Sequence, residues 1–421
     1  MAELDVSQLM TVSQAIAAID AVAVTPRTVT LPLLEAVGLR LAQDLLADRD
    51  YPPFHKSLMD GYAVRAADVV RTPAELKVID RLPAGRVSAL PVGAGESIAV
   101  MTGAPMPNGA EGVVPVEDVD ELGEVVRIRR ADGIARNVAF KGRDCASGKV
   151  VLPKGTVLGP AQVAVAATVG ARSVEVYDRP RAAVLGTGDE LSDPNSEPLA
   201  HQIRNSNNPM TAALLKRLGC RVTDLGTAPD NVDYIRARIM EGLEHDALFV
   251  SGGMSMGEHD YVPSILNDLG VEMKVTKLRI KPGKPFLFGV KKRDNGQGES
   301  YVFGLPGNPV SGFVCTVRLA SRLIDRMSGG PAQERWQNGR LIVGLPANGP
   351  REFYMPALRT VAPARVSAQA VLPAIRPLEW KGSADVFTLA AANCLLVRAA
   401  GEPPLPEGTL VRVLETLGPS Q

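Results

Sequence analysis

At 421 residues the chain is nearly three times a typical domain of about 150 residues, so two to four domains with sizeable cores are expected. Its 40 glycines and 33 prolines against 9 Phe, 7 Tyr and 2 Trp describe a chain rich in turns and poor in rings, and 45% hydrophobic content excludes disorder as the default state. Lys+Arg 46 cancel Asp+Glu 46, which removes the global positive field that would hold a nucleic-acid backbone or an anionic membrane surface. Cys145, Cys220, Cys315 and Cys394 are widely spaced, and His55, His201, His245 and His259 form no paired-histidine motif, so neither a disulfide framework nor a structural zinc site is expected. No stretch reaches the ~18 apolar residues that cross a bilayer, and Glu3 and Asp5 precede any apolar run. The expectation is a soluble cytoplasmic protein with neither nucleic acid nor membrane as partner.

Along the chain, Val12, Ala15, Ile16 and Ile19 have helical spacing and predict a helix over 12–21 with Ser13 as its cap; residues 33–47 predict a second helix. After Tyr51-Pro52-Pro53, β-like runs at 76–79, 96–100 and 125–129 alternate with Gly and Pro turns to about Cys145. Residues 160–169 predict one apolar helix in a stretch without polar motifs. From 181 to 327 the rhythm becomes strand, loop, helix: strands at 181–185, 221–225, 246–250 and 301–305, helices at 209–218 (ending at Gly219), 234–243, 262–269 and from Pro309 onward. That alternation predicts parallel βαβ units with helices on both faces, whose ligands bind at the carboxyl ends of the strands. Beyond Gly329, runs at 340–343, 388–389, 394–397 and 409–413 predict a small barrel or sandwich. No internal repeat is present.

The chemistry-bearing strings of this α/β segment fall at those strand ends. Gly186-Thr187-Gly188-Asp189-Glu190 joins glycines, which bring backbone close to a ligand, to carboxylates able to hold a hard cation. Ser251-Gly252-Gly253-Met254-Ser255-Met256-Gly257-Glu258-His259-Asp260 repeats the combination after the strand at 246–250. Lys281-Pro282-Gly283-Lys284-Pro285 holds two positive charges on a rigid turn, and Gly304-Leu305-Pro306-Gly307-Asn308-Pro309-Val310-Ser311 opens a helix; together they suit a tetrahedral oxyanion or phosphate. Each string by itself also reads as a solvated turn, and His259, lacking a partner histidine, as a surface residue. In the β-rich part, Asp60 precedes Gly61 and Thr102 opens a second rigid loop through Gly109.

In this order the strings Ser57-Leu58-Met59-Asp60-Gly61-Tyr62-Ala63, Thr102-Gly103-Ala104-Pro105-Met106-Pro107, Thr187-Gly188-Asp189-Glu190-Leu191, Gln202-Ile203-Arg204-Asn205-Ser206-Asn207, Ser251 to Gly257 with Asp260-Tyr261, Lys281 to Pro285 and Gly304 to Ser311 resemble the molybdopterin molybdenumtransferases, that is, MoeA-type proteins and the E domain of gephyrin and its plant counterpart. The resemblance covers essentially the whole chain. It implies a multidomain fold of α/β plus β character: a helical domain assembled from 1–50 and 146–179, an inserted β-rich domain 51–145, a Rossmann-like α/β molybdopterin-binding domain 180–330 and a C-terminal β-barrel domain 331–421. It implies a homodimer that takes adenylylated molybdopterin and molybdate with Mg²⁺, releases AMP and leaves molybdenum on the pterin dithiolene, with molybdopterin adenylyltransferase and apo-molybdoenzymes as further partners. The residues carried over are Asp60, Thr102, Glu190 and Asp260 as catalytic. Glu190, Asp230 and Asp260 become metal ligands. Asp144, Gly186, Thr187, Ser251, Gly252, Gly253, Lys281, Lys284, Pro306, Pro309, Ser311 and Ser383 become binders of cofactor or molybdate.

The chain departs from that pattern in two places. An arginine and an acid expected in the loop before Asp144 are Ala139 and Arg143, and Met355 stands where an arginine often contributes to the molybdate site, with Arg351 and Arg359 nearby. Two alternatives belong to other classes: a molybdopterin adenylyltransferase, which shares an α/β domain but is usually a short chain, and a non-enzymatic scaffold of the gephyrin kind.

Overall fold

The computed structural model describes residues 9–254, 261–293, 296, 298–360 and 372–416, so Glu258, His259 and Asp260 lie outside the described residues. Two compact units emerge, one from the segments Met1–Val29 and Tyr177–Gln421, the other from Thr30–Val176.

The larger unit is built on a six-stranded sheet. Strands Arg221–Ala228, Arg181–Thr187, Ala247–Ser251 and Glu299–Leu305 run parallel in that spatial order, and Leu287–Lys292 and Glu272–Val275 extend the sheet antiparallel. The near-continuous burial of the inner strands follows from helices on both faces, and successive side chains separate into two cores. Ala182, Val184 and Phe249 face the core that holds Leu214 and Leu215 of helix Asn207–Arg217 and Val12, Ala15 and Ile19 of helix Val12–Asp20. Ala183, Leu185, Leu248 and Val250 face Ile235, Ile239 and Leu243 of helix Val232–Leu243 and Ile265 and Leu266 of helix Val262–Asp268. At the centre of the first core Phe303 stacks on Phe249 with centroids 4.8 Å apart and lies 5.1 Å from Phe288.

In the same unit, strands Glu352–Thr360, Ala374–Pro377, Trp336–Leu341, Leu410–Glu415 and Cys394–Arg398 pair in sequence, and the last returns to the first to close a five-stranded barrel. The two-residue strand Ile280–Lys281 joins the edge of Glu352–Thr360 in parallel, Ile280 opposite Glu352 and Lys281 opposite Phe353.

The smaller unit centres on a six-stranded sheet in the order Gly112–Pro115, Gly61–Val64, Glu96–Val100, Ala74–Leu82, Val125–Ile128, Val119–Glu121. Gly61–Val64 is buried throughout and pairs on both sides.

Three local expectations are corrected. The first helix is capped by Thr11, which forms a reciprocal capping box with Gln14, so Ser13 is already inside the helix. Residues 33–47 are not helical: Gly38 turns the chain with φ 82, after which Leu39 and Leu41 are buried on an extended path whose Leu41 and Ala42 N–H groups donate to Thr156 and Glu175. Residues 388–389 lie in helix Val386–Ala391, because Asp385 caps it by accepting from the Thr388 N–H at 3.0 Å and hydroxyl at 2.8 Å. Strands Glu272–Val275, Leu287–Lys292, Glu352–Thr360 and Ala374–Pro377 carried no recognised pattern.

Phe303 is fully buried, so Phe303→Ala is expected to cost about 3–5 kcal/mol, measured as a lower urea midpoint by circular dichroism; an unchanged midpoint would contradict the packing described.

Candidate active site

A cleft of about 970 Å³ opens at the carboxyl ends of the parallel strands, lined by Thr187, Glu190, Asp230, Ser251, Gly252, Gly253, Lys281, Lys284, Pro306, Ser311 and Ser383 among others. Eleven residues proposed from sequence therefore meet in one place. Adjacent strands Arg181–Thr187 and Ala247–Ser251 end side by side, Gly186 opposite Ser251, which brings their two glycine loops together. The approach is close enough to require glycine. Gly252 has φ 91, and a Cβ there would lie 2.4 Å from the Thr187 carbonyl oxygen. Gly186 itself lies in the sheet beneath the cleft, where a Cβ would meet Asn205 Nδ2 at 2.6 Å. Pro309 is the first residue of helix Pro309–Cys315 and sets its start.

The cleft is polarised. Glu190 and Asp230 put carboxylates on one side; the Asp230 N–H donates to Asp189 Oδ1 at 3.0 Å, which joins the two loops. Lys281, Lys284, Arg351 and Lys381 put four cations on its lining, with the hydroxyls of Ser311 and Ser383. Asn308 Nδ2 donates to Ser383 Oγ at 2.9 Å, and the Val310 N–H to the Ser383 carbonyl at 3.0 Å, so this serine of the barrel segment is tied to the Pro306–Ser311 loop. Asp385 accepts from the Lys381 and Thr388 N–H groups, which holds its carboxyl down at about 2 and anchors the Lys381 loop. Thr187 Oγ1, Ser251 Oγ and Asn207 Oδ1 are buried in the lining without a hydrogen-bond partner among the described residues. Such atoms suit a ligand that supplies the missing bonds.

Several lining residues carried no signal in the sequence. Asn207 was only part of a longer string; its Nδ2 donates to the Gly307 carbonyl at 2.7 Å. Phe353, Trp380 and Lys381 arrive from the barrel. The rarity of tryptophan and the run Trp380-Lys381-Gly382 just before Ser383 were the available hints. Arg351 lines the cleft, whereas Met355 packs against the barrel core of Ala357, Ile375 and Leu396; Arg359 is absent from the lining.

Asp60, Thr102 and Asp144 belong to the smaller unit. Because Gly61 pairs with Val100, the loops that carry Asp60 and Thr102 leave the same sheet end. The Thr102 N–H and hydroxyl both donate to Asp60 Oδ1, at 2.6 and 2.8 Å, and hold the exposed carboxyl below its ordinary value of 3.8. Asp144 is exposed, and its N–H donates to the Tyr51 carbonyl at 2.9 Å. Ala139 is buried opposite Lys56, and Arg143 is exposed.

With its folded-state value depressed, the Asp60–Thr102 pair contributes stability at neutral pH that is lost as pH falls through that value, below 3.8. Thr102→Val removes one of the two donors and is expected to raise the Asp60 carboxyl toward 3.8, read from its ¹³C chemical shift across a pH titration; an unmoved midpoint would contradict the assigned contact.

The family model of the MoeA N-terminal region (domain I and II) matches residues 10–170, the one described as "Probable molybdopterin binding domain" matches 183–326, and that of the MoeA C-terminal region (domain IV) matches 339–416. The chain is similar to the molybdopterin molybdenumtransferase of Staphylococcus aureus (strain MRSA252), 33% identical over 398 residues, which span 93% of this chain and 92% of that one. It is 30% identical over 399 residues to that of Staphylococcus epidermidis (strain ATCC 12228), spanning 93% and 91%. Two structures of the molybdopterin biosynthesis MoeA protein from Pyrococcus horikoshii superpose with TM-scores of 0.83 and 0.80, each 28% identical, over 98% and 97% of this chain and 100% of theirs. A chain matched from its first helix to its last barrel strand by all three parts of one family, and by full-length relatives, belongs to the MoeA family of molybdopterin molybdenumtransferases.

Proposed function

We propose that the protein inserts molybdate into adenylylated molybdopterin, releasing AMP and yielding molybdenum-loaded cofactor. The observation that carries this reading is the polarised cleft: one cavity of about 970 Å³ combines paired carboxylates, four cations and buried unpartnered hydroxyls. Full-length likeness to proteins named molybdopterin molybdenumtransferase supports it, and matches at both the MoeA N- and C-terminal regions disfavour the short adenylyltransferase alternative.

Lys281, Lys284 and Arg351, with the Ser311 and Ser383 hydroxyls, bind and orient the tetrahedral dianion; Arg351 fills the cationic role that Met355 cannot. Thr187, Ser251 and Asn207 direct buried polar atoms at the pterin-nucleotide, and Gly252 and Gly253 let its phosphates approach the main chain. Mg²⁺ fits the donor set, since Glu190 and Asp230 are hard oxygen ligands on one side of the cleft and this ion takes one or two carboxylates together with substrate phosphates. When bound, it would neutralise charge developing on the departing AMP. Asp260 is proposed as a further ligand.

Asp60 and Thr102 are proposed as catalytic residues and Asp144 as a cofactor-binding one, acting in a homodimer whose two protomers complete each other's sites. The domain limits proposed are 1–50 with 146–179, 51–145, 180–330 and 331–421. A cytoplasmic location and transfer of product to apo-molybdoenzymes complete the reading. No helix among the described residues is long and apolar enough to cross a membrane.

The test is AMP release by the purified protein with adenylylated molybdopterin and Mg²⁺. Release is expected to depend on molybdate, to slow in Glu190→Gln, and to need about ten-fold more molybdate in Lys281→Ala, the loss typical of a charged hydrogen bond; AMP release that ignores molybdate would contradict the proposal.

A further inference from the structure

The Lys281 side chain is exposed, and among the described residues no carboxylate forms an ion pair with its ammonium. A lysine head group on four rotatable bonds binds an anion poorly unless something orients it. Here the orienting group is an aromatic ring from the barrel. Lys281 stands opposite Phe353 in the parallel ladder, and its Nζ lies 4.4 Å from the centroid of the Phe353 ring, within cation–π range. The ladder is reinforced on both sides: the Glu352 N–H donates to the Arg279 carbonyl at 3.2 Å, Arg279 Nε to the Pro350 carbonyl at 2.6 Å, and Arg351 Nη1 to the Ile280 carbonyl at 3.4 Å. Phe353 is braced by Trp380, whose ring is 5.9 Å away and tilted by 34°, and Trp380 packs on the core of the larger unit. Both rings line the cleft.

We propose that Phe353 is a positioning residue for Lys281, its ring fixing the ammonium that receives the oxyanion, so that the barrel strand decides where the anion binds. The inference rests on the proposed function in taking molybdate as the anion, and it goes beyond it by naming what holds the cation. The ring face holds the ammonium in place without pairing its charge against a carboxylate. It also makes anion affinity depend on a residue that touches no oxyanion oxygen.

The experiment is a double-mutant cycle on the full-length protein, with molybdate binding measured by calorimetry. Phe353→Leu, which keeps bulk but loses the ring, is expected to weaken binding about five-fold, and Phe353→Tyr to stay within about two-fold of wild type. In a Lys281→Ala background Phe353→Leu is expected to cost nothing further. Wild-type affinity in Phe353→Leu, or losses that multiply in the double mutant, would overturn the inference while leaving the proposed function standing. Absence of molybdate binding to the wild type would instead overturn the proposed function and the inference with it. A readout independent of any change at Phe353 is the ¹³C resonance of reductively methylated Lys281, assigned by its loss in Lys281→Arg. An upfield ring-current displacement is expected, and a random-coil position would overturn the proposal.

Discussion

A ladder of two residue pairs, Ile280 with Glu352 and Lys281 with Phe353, fastens the lysine turn to the barrel, and the rest of the cleft is arranged around that joint. An α/β sheet with glycine loops at its strand ends makes only a shallow edge. The wall is supplied by a chain segment more than seventy positions away in sequence. Once Ile280–Lys281 is paired, Gly283 is pressed against helix Pro309–Cys315: its φ is 121, and a Cβ would sit 2.8 Å from Cys315 Sγ. Lysine turn, helix start and barrel strand are thereby held in one arrangement, and Ser383, bonded to Asn308 and Val310, closes it from the far side.

The physical division of labour follows. The sheet supplies rigidity through the stacked Phe249 and Phe303, the tilted Phe288 beside them and continuous apolar burial, and its strand ends carry small residues because backbone must approach backbone. In the cleft the carboxylates come from one loop pair and the cations from the lysine turn and the barrel segment, so a chain that is neutral as a whole has both signs of charge gathered in one cavity. A nucleic acid needs a field over a surface; a small polyanion with a bound cation needs only this local separation.

Much of the site was legible from sequence because its residues sit beside the strands that present them. Thr187, Ser251, Gly252 and Gly253 follow buried strands directly, and Lys281, Lys284 and Ser311 lie on turns whose prolines and glycines mark them. Phe353, Trp380 and Lys381 were not legible, since they reach the cleft through barrel closure and a long-range register that no local pattern encodes. Residues 33–47 misled for a related reason. Their apolar spacing fits a helix, but Gly38 breaks it and pairing with residues 156–175 fixes an extended path. Residues 388–389 read as strand by composition until Asp385, three positions earlier, is seen to cap a helix. Among the overlooked strands, Leu287–Lys292 is buried at its first four positions and so lacks the in-and-out alternation that would announce a strand.

The most direct test of the central claim, that one polarised cleft holds the oxyanion between the lysine turn and the barrel, is a crystal soaked in molybdate and measured at the molybdenum absorption edge. An anomalous peak is expected within hydrogen-bond reach of Lys281, Lys284 and the Ser311 and Ser383 hydroxyls, beside Arg351. A molybdenum peak confined to surface sites away from these residues would contradict it.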